Sequence, residues 1–226
     1  MLSLNYLSDT NLKAANSFDG VLSLLLYDPA ATVFEQKFRA SYPQLHARSG
    51  DSLLVIAGQS DWLPRKLRSQ VAAEFSRRAP SGFMEMMIAP TKLNPIDEAR
   101  RTMNLTTRFG LEPKQLPCLV MLERLDDSRG VVIGFDRTTI NSATDDLQLA
   151  LVEAFDIINA AAKRDPCPVT PYDAERSAES MEAMIKWRRK IIESVQPQFR
   201  RLSFKTFIKK NVPNIISGAG GLAGLL

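Results

Sequence analysis

The sequence predicts an α/β protein, a mixed sheet flanked by helices, with a helical C-terminal extension. Three observations carry that expectation. Two near-continuous apolar runs, VLSLLLY (21–27) and SLLVIA (52–57), enclose a helix-like stretch, the pattern of a parallel β-α-β unit buried on both faces. Two later runs, residues 116–123 and 130–135, flank the polar turn 124–129, the pattern of an antiparallel hairpin. Between these pairs a helix ending in Phe109-Gly110 leads through a short link to Leu116-Pro117.

In chain order, residues 1–17 read as an N-terminal extension with room for one short helix near 8–16, placed to cover an edge of the body. Gly20 and Asp28-Pro29 bound the first strand. Asp28 can cap the next helix, Pro29 fits its first turn and Thr32-x-x-Glu35 forms a capping-box pattern. Phe34, Phe38 and Leu45 supply its inward stripe, and Pro43 is expected to bend or shorten it. After the second strand, Leu63, Leu67, Val71 and Phe75 mark a further helix that stops before Ala79-Pro80. FMEMMI (83–88) fits either a strand or an apolar loop. Asn94-Pro95, with Asp97 and Glu98, opens the helix that ends at Gly110. Beyond the hairpin, Thr144-Asp145-Asp146 caps a long helix whose apolar face includes Leu147, Leu151, Phe155 and Ile158.

This order, with FGLEPKQLPCLVML (109–122) at its centre, resembles the thioredoxin-like superfamily over residues 18–165. The resemblance implies a cis peptide before Pro117, a hairpin and a closing helix. It also implies a possible substrate groove at Pro117 and Cys118. Redox members of that family place a cysteine where the first strand turns into the first helix, because the helix N-terminus lowers the thiol pKa. Here that stretch reads Asp28-Pro29-Ala30-Ala31-Thr32-Val33, without sulfur. Disulfide exchange by the family's mechanism is not expected.

Composition narrows the chemistry further. The 226 residues are 45% hydrophobic and 24% charged, ordinary values for a folded chain. Cys118 and Cys167 make no disulfide framework. Cys118, beside Leu119, Val120 and Met121, reads as a buried thiol; Cys167 lies in DPCPVTP (165–171), which reads as an exposed linker. His46 is the single histidine, so Ser-His-Asp or Cys-His catalysis would have to route through it, but it falls at a polar helix end and reads as a surface residue. One histidine and two distant cysteines do not supply an ordinary zinc site. No phosphate-binding glycine loop occurs. No cofactor or metal is expected. The N-terminus lacks a basic start and long apolar core, and no run of 18 apolar residues is present, so the expected address is cytoplasmic, possibly at the inner face of the membrane.

The net charge of +4 is uneven. Residues 171–226 hold 10 Lys/Arg against 5 acids, net +5, which leaves −1 for residues 1–170. A polyanion would meet the tail. Residues 166–171 read as a proline-rich linker and residues 172–226 as a basic amphipathic arm with an apolar, glycine-rich tip. Ala174, Ala178, Met181, Ile185, Ile192 and Val195 recur at spacings of three and four, and Arg188 occupies the missing seam position. Such a helix either docks on the body or pairs with a second copy. Beyond it, Phe199, Arg200, Arg201, Phe204, Lys205, Phe207, Lys209 and Lys210 mix cations with aromatics and include no acid. That pattern suits an anionic membrane surface or a protein partner.

Three classes of function fit these residues. The first is a non-catalytic interaction or scaffold module whose arm contacts a membrane surface, a partner protein or a second copy. The second is a superfamily enzyme, transferase-like or peroxide-related, with a non-standard site. The third is nucleic-acid binding through the arm, which the uncharged tip does nothing to support.

Overall fold

The structure, a computed structural model, describes residues 2–3, 15–28, 32–57, 105–107, 109–126, 129–135, 146–199 and 206–209. In chain order its elements are β1 (Leu2–Ser3), β2 (Val21–Leu26), α1 (Thr32–Ser49), β3 (Leu53–Ala57), a 3-10 turn (Pro113–Gln115), β4 (Cys118–Leu122), β5 (Gly130–Phe135), α2 (Asp146–Arg164), α3 (Pro171–Arg176), α4 (Ala178–Phe199) and β6 (Thr206–Lys209). The expected helix between residues 60 and 79, the segment 83–88 and the helix start at Asn94 lie outside the described residues.

The strands are ordered β1-β3-β2-β4-β5-β6. β2 and β3 are parallel, with Val21 opposite Leu53, and α1 makes the crossover between them. β4 runs antiparallel to β2, placing Cys118 opposite Leu26, and β5 runs antiparallel to β4. The expected parallel first half and antiparallel second half are therefore present in one mixed α/β sheet. The two outermost strands extend it. β1 pairs parallel with the end of β3, and β6 pairs antiparallel with β5, Thr206 opposite Phe135 and Lys209 opposite Val132.

Near-continuous apolar runs, interrupted in β2 by the buried Ser23, form these strands because both faces of the sheet are covered, so alternation would bury many polar groups. One face packs Val21, Leu25, Val55, Leu119 and Ile133 against Phe34 and Phe38 of α1 and Phe155 of α2. The other face packs Leu22, Leu24, Ile56 and Val120 under Leu105, Phe109 and Leu111. Each such side chain, fully buried, contributes about 1.5–3 kcal/mol.

The helix before the link ends as its sequence requires. Gly110 has φ 56°, the left-handed conformation that a glycine adopts without Cβ strain. Its N–H donates to the Thr107 carbonyl and the Leu111 N–H to the Thr106 carbonyl, closing a Schellman cap. The Leu116–Pro117 peptide is cis, the isomer that the sequence alone left open.

The structure bears on two local expectations. α1 continues through Pro43 to Ser49 without being shortened. Pro43 lies on the exposed side, where water can take the carbonyl that the missing N–H leaves unbonded. The segment at Cys167 is not a free linker. Trp187 donates its indole N–H to the Asp165 carbonyl at 2.6 Å, Lys190 pairs with Asp165 at 2.8 Å, and Cys167 is half-buried against the core.

α4 is the larger finding. It packs on α2 and β5, and Trp187, Ile191, Ile192, Val195 and Phe199 join the core of the first sheet face. The expected seam drifts along its length: Ala178 is exposed and Met181 half-buried, whereas Met184, Trp187 and Ile191 are buried. A strict heptad seam describes a narrow coiled-coil contact. A straight helix lying on a sheet and a neighbouring helix buries a wider stripe near the 3.6-residue period.

Candidate functional site

The first place to look for chemistry is the end of β2 and the start of β4. Tyr27 follows β2, stacks on Phe34 with ring centroids 4.7 Å apart and is itself buried. Cys118 enters β4 opposite Leu26 and is fully buried in the second apolar layer with Leu24, Leu26 and Leu116. Burial pushes its thiol up to about 12. Pro117, the other residue of the expected groove, is buried too. The apolar neighbours that make this segment a good strand are also what close it. Cys167 is also raised by burial, with smaller lowering contributions from a hydrogen bond to the Val169 backbone and from Arg188. His46 is half-buried and stacks on Tyr42 at 6.0 Å.

The most organised polar feature lies where α4 crosses the end of β4. Arg188, the charged residue in the apolar seam, is fully buried. Its Nε–H donates to the Gly20 carbonyl at 2.9 Å and Nη1 to the Glu123 carbonyl at 3.0 Å. Nη2 reaches the Asn16 carbonyl at 2.9 Å and also the Phe18 carbonyl. No carboxylate hydrogen-bonds this guanidinium among the described residues. Four carbonyl dipoles take its place. Burial lowers its pKa to about 9, so it remains cationic at neutral pH.

Around this group three parts of the chain are tied together. Asn16 accepts from the Leu125 N–H at 2.8 Å through Oδ1 and donates to Asp126 at 3.1 Å through Nδ2. Asp126 also pairs with Arg124 inside the hairpin turn. The next residue on α4, Arg189, grips the Glu123 carboxylate through Nε at 2.8 Å and Nη2 at 2.7 Å. That hydrogen bonding raises the Arg189 pKa. The chain before β2, the β4–β5 turn and α4 are thus fixed relative to one another. A cleft of about 480 Å³ opens beside this knot, between α4 and the start of β5, where Arg129, Glu193 and Gln196 line it next to the Arg189–Glu123 pair.

The basic stretch is divided by the fold. Phe199, expected at a contact surface, is fully buried in the core, and that expectation is corrected: the apolar face of the helix is already occupied by the body. Phe207 and Lys209 belong to β6, hydrogen-bonded into the sheet beside β5. Arg200, Arg201, Phe204, Lys205, Lys210 and the apolar tip lie outside the described residues. Among the described residues no helix is long and apolar enough to cross a membrane.

The Arg188 knot was not found as a site from sequence. Its one signal was a cation standing in an otherwise apolar seam. No protein-family model matches the chain, and no match emerges among curated proteins or solved structures.

Proposed function

We propose that the chain is a non-catalytic module of thioredoxin-like fold that binds a protein partner through its cationic C-terminal segment. The fold half of this reading is supported by the order β3-β2-β4-β5, parallel and then antiparallel, with α1 and α2 packed on one face. The observation that carries the non-catalytic half is Cys118. A fully buried thiol raised to about 12 supplies almost no thiolate at neutral pH, and the thiolate is the nucleophile. The turn after β2 has no sulfur to replace it.

A protein partner is favoured over a bilayer by the position of α4. An interfacial helix needs a free apolar face, and the apolar face of α4 packs against the sheet and α2. Of the cations beyond it, Lys209 belongs to β6, and a strand suits a partner that pairs with backbone.

Dithiothreitol-driven insulin reduction tests the reading. The native chain is expected to match the protein-free control, and Cys118→Ser is expected to match both. With Ellman's reagent, Cys118 reacts only after denaturation. Accelerated insulin reduction that disappears in Cys118→Ser would overturn the proposal.

A further inference from the structure

We infer that the outer edge of β6 is a strand-addition site for an extended, acid-rich peptide segment of a partner protein. The inference rests on the proposed reading of the C-terminal segment as a contact surface and names what that surface takes.

β6 is the last strand of the sheet, and among the described residues no strand lies beyond it. The ladder shows which of its backbone groups are used. The Phe135 N–H donates to the Pro117 carbonyl at 3.1 Å, so the Phe135 backbone faces β4. In an antiparallel ladder successive residues face opposite sides. Gly134 and Val132 therefore face β6, and their opposites Phe207 and Lys209 face β5. Thr206 and Ile208 point N–H and C=O away from β5, two donors and two acceptors at strand spacing with no strand opposite them among the described residues. Unpaired edge groups are a template for another strand, and main-chain pairing gives such contacts their affinity.

Charge selects the occupant. Residues 194–226 contain Arg200, Arg201, Lys205, Lys209 and Lys210 and no acid at all. A second copy carries the same excess of cations in this part of its sequence, and like charges across a strand pair are destabilising. Lysines at an edge ordinarily guard against that self-pairing. An extended segment rich in Asp or Glu meets the same edge with complementary charge, which speeds encounter and discriminates against neutral strands. The edge is also held in place. β6 is zipped to β5, and α4, which precedes it, is anchored by Arg188 and Phe199.

The test uses the full chain and three fluorescein-labelled octapeptides followed by anisotropy. One alternates Glu and Val, one has proline in place of its two central valines, and one alternates Lys and Val. The Glu-Val peptide is expected to bind, more weakly as salt rises, and the other two to bind at least roughly tenfold more weakly, the effect of losing one or two net hydrogen bonds. Ile208→Pro removes an outward N–H while leaving the Phe207 and Lys209 pairings to β5, so it is expected to lower Glu-Val affinity to the same degree. Lys209→Glu, a second variant that keeps every backbone group, is expected to weaken Glu-Val binding and strengthen Lys-Val binding. Glu-Val binding that survives both the proline peptide and Ile208→Pro would overturn strand addition and leave a cationic contact surface standing. Absence of any Glu-Val binding would overturn both. Neither result bears on the thiol assay, so failure of the non-catalytic reading is seen separately.

Discussion

Arg188→Ala is expected to lower the unfolding free energy by about 3–5 kcal/mol, because several buried carbonyls lose a hydrogen bond at once at roughly 1–3 kcal/mol each before relaxation. Replacing a buried ion pair by apolar residues is sometimes neutral, because both charges leave together. That escape is closed here. The partners of Arg188 are the backbone carbonyls of Asn16, Phe18, Gly20 and Glu123, which no substitution at position 188 removes. Each loses an acceptor bond in the interior, where an unmet group costs roughly 1–3 kcal/mol before relaxation or water entry. Arg188→Met fills the volume but still takes the guanidinium donors away from the same carbonyls. Arg188→Lys keeps the charge, yet an ammonium cannot reproduce the planar fork, so an intermediate loss is expected. Urea denaturation followed by tryptophan fluorescence measures all three. A loss below about 1 kcal/mol for Arg188→Ala would mean that the knot adds nothing to the ordinary packing of α4.

The second large effect concerns the C-terminal helix as a whole. A chain ending at Ser177 is expected to lose cooperative unfolding, because it strips Trp187, Ile191, Ile192, Val195 and Phe199 from the first sheet face. It also removes the guanidinium that donates to the four carbonyls. Phe199→Ala alone is expected to cost about 3–5 kcal/mol, the range for a buried Phe truncated to Ala. The comparison is made by circular dichroism melts of the shortened chain and of the point variant beside the full chain. If the shortened chain melted cooperatively at an unchanged midpoint, α4 would be a detachable arm after all.

Legibility in the sequence tracked how local each signal is. β2, β3, β4 and β5 could be read because a strand buried on both faces is apolar at nearly every position, Ser23 of β2 excepted, and the runs say so directly. The cap at Gly110 was equally local. The docking of α4 was ambiguous, since a heptad stripe looks the same whether it meets the body or a second copy. Arg188 stood out only as an interruption of that stripe. Its partners are backbone carbonyls as far away in sequence as Asn16, and no residue type announces a carbonyl. β6 went unseen because TFIK lies within a run of cations and aromatics that fits an interfacial helix just as well. Pairing with β5 selects the strand there, and that is a tertiary effect. Phe199 was misplaced for the same reason: aromatic residues among cations read as surface until the end of α4 is laid on the core.

Amide-resolved hydrogen exchange across residues 206–209 tests the central claim most directly, namely that this part of the cationic stretch is a fixed sheet edge. The account predicts slow exchange at Phe207 and Lys209, whose N–H groups face β5, and fast exchange at Thr206 and Ile208 until an acidic strand protects them. Fast exchange at all four amides would contradict it, since a free arm has no ladder to protect Phe207 and Lys209.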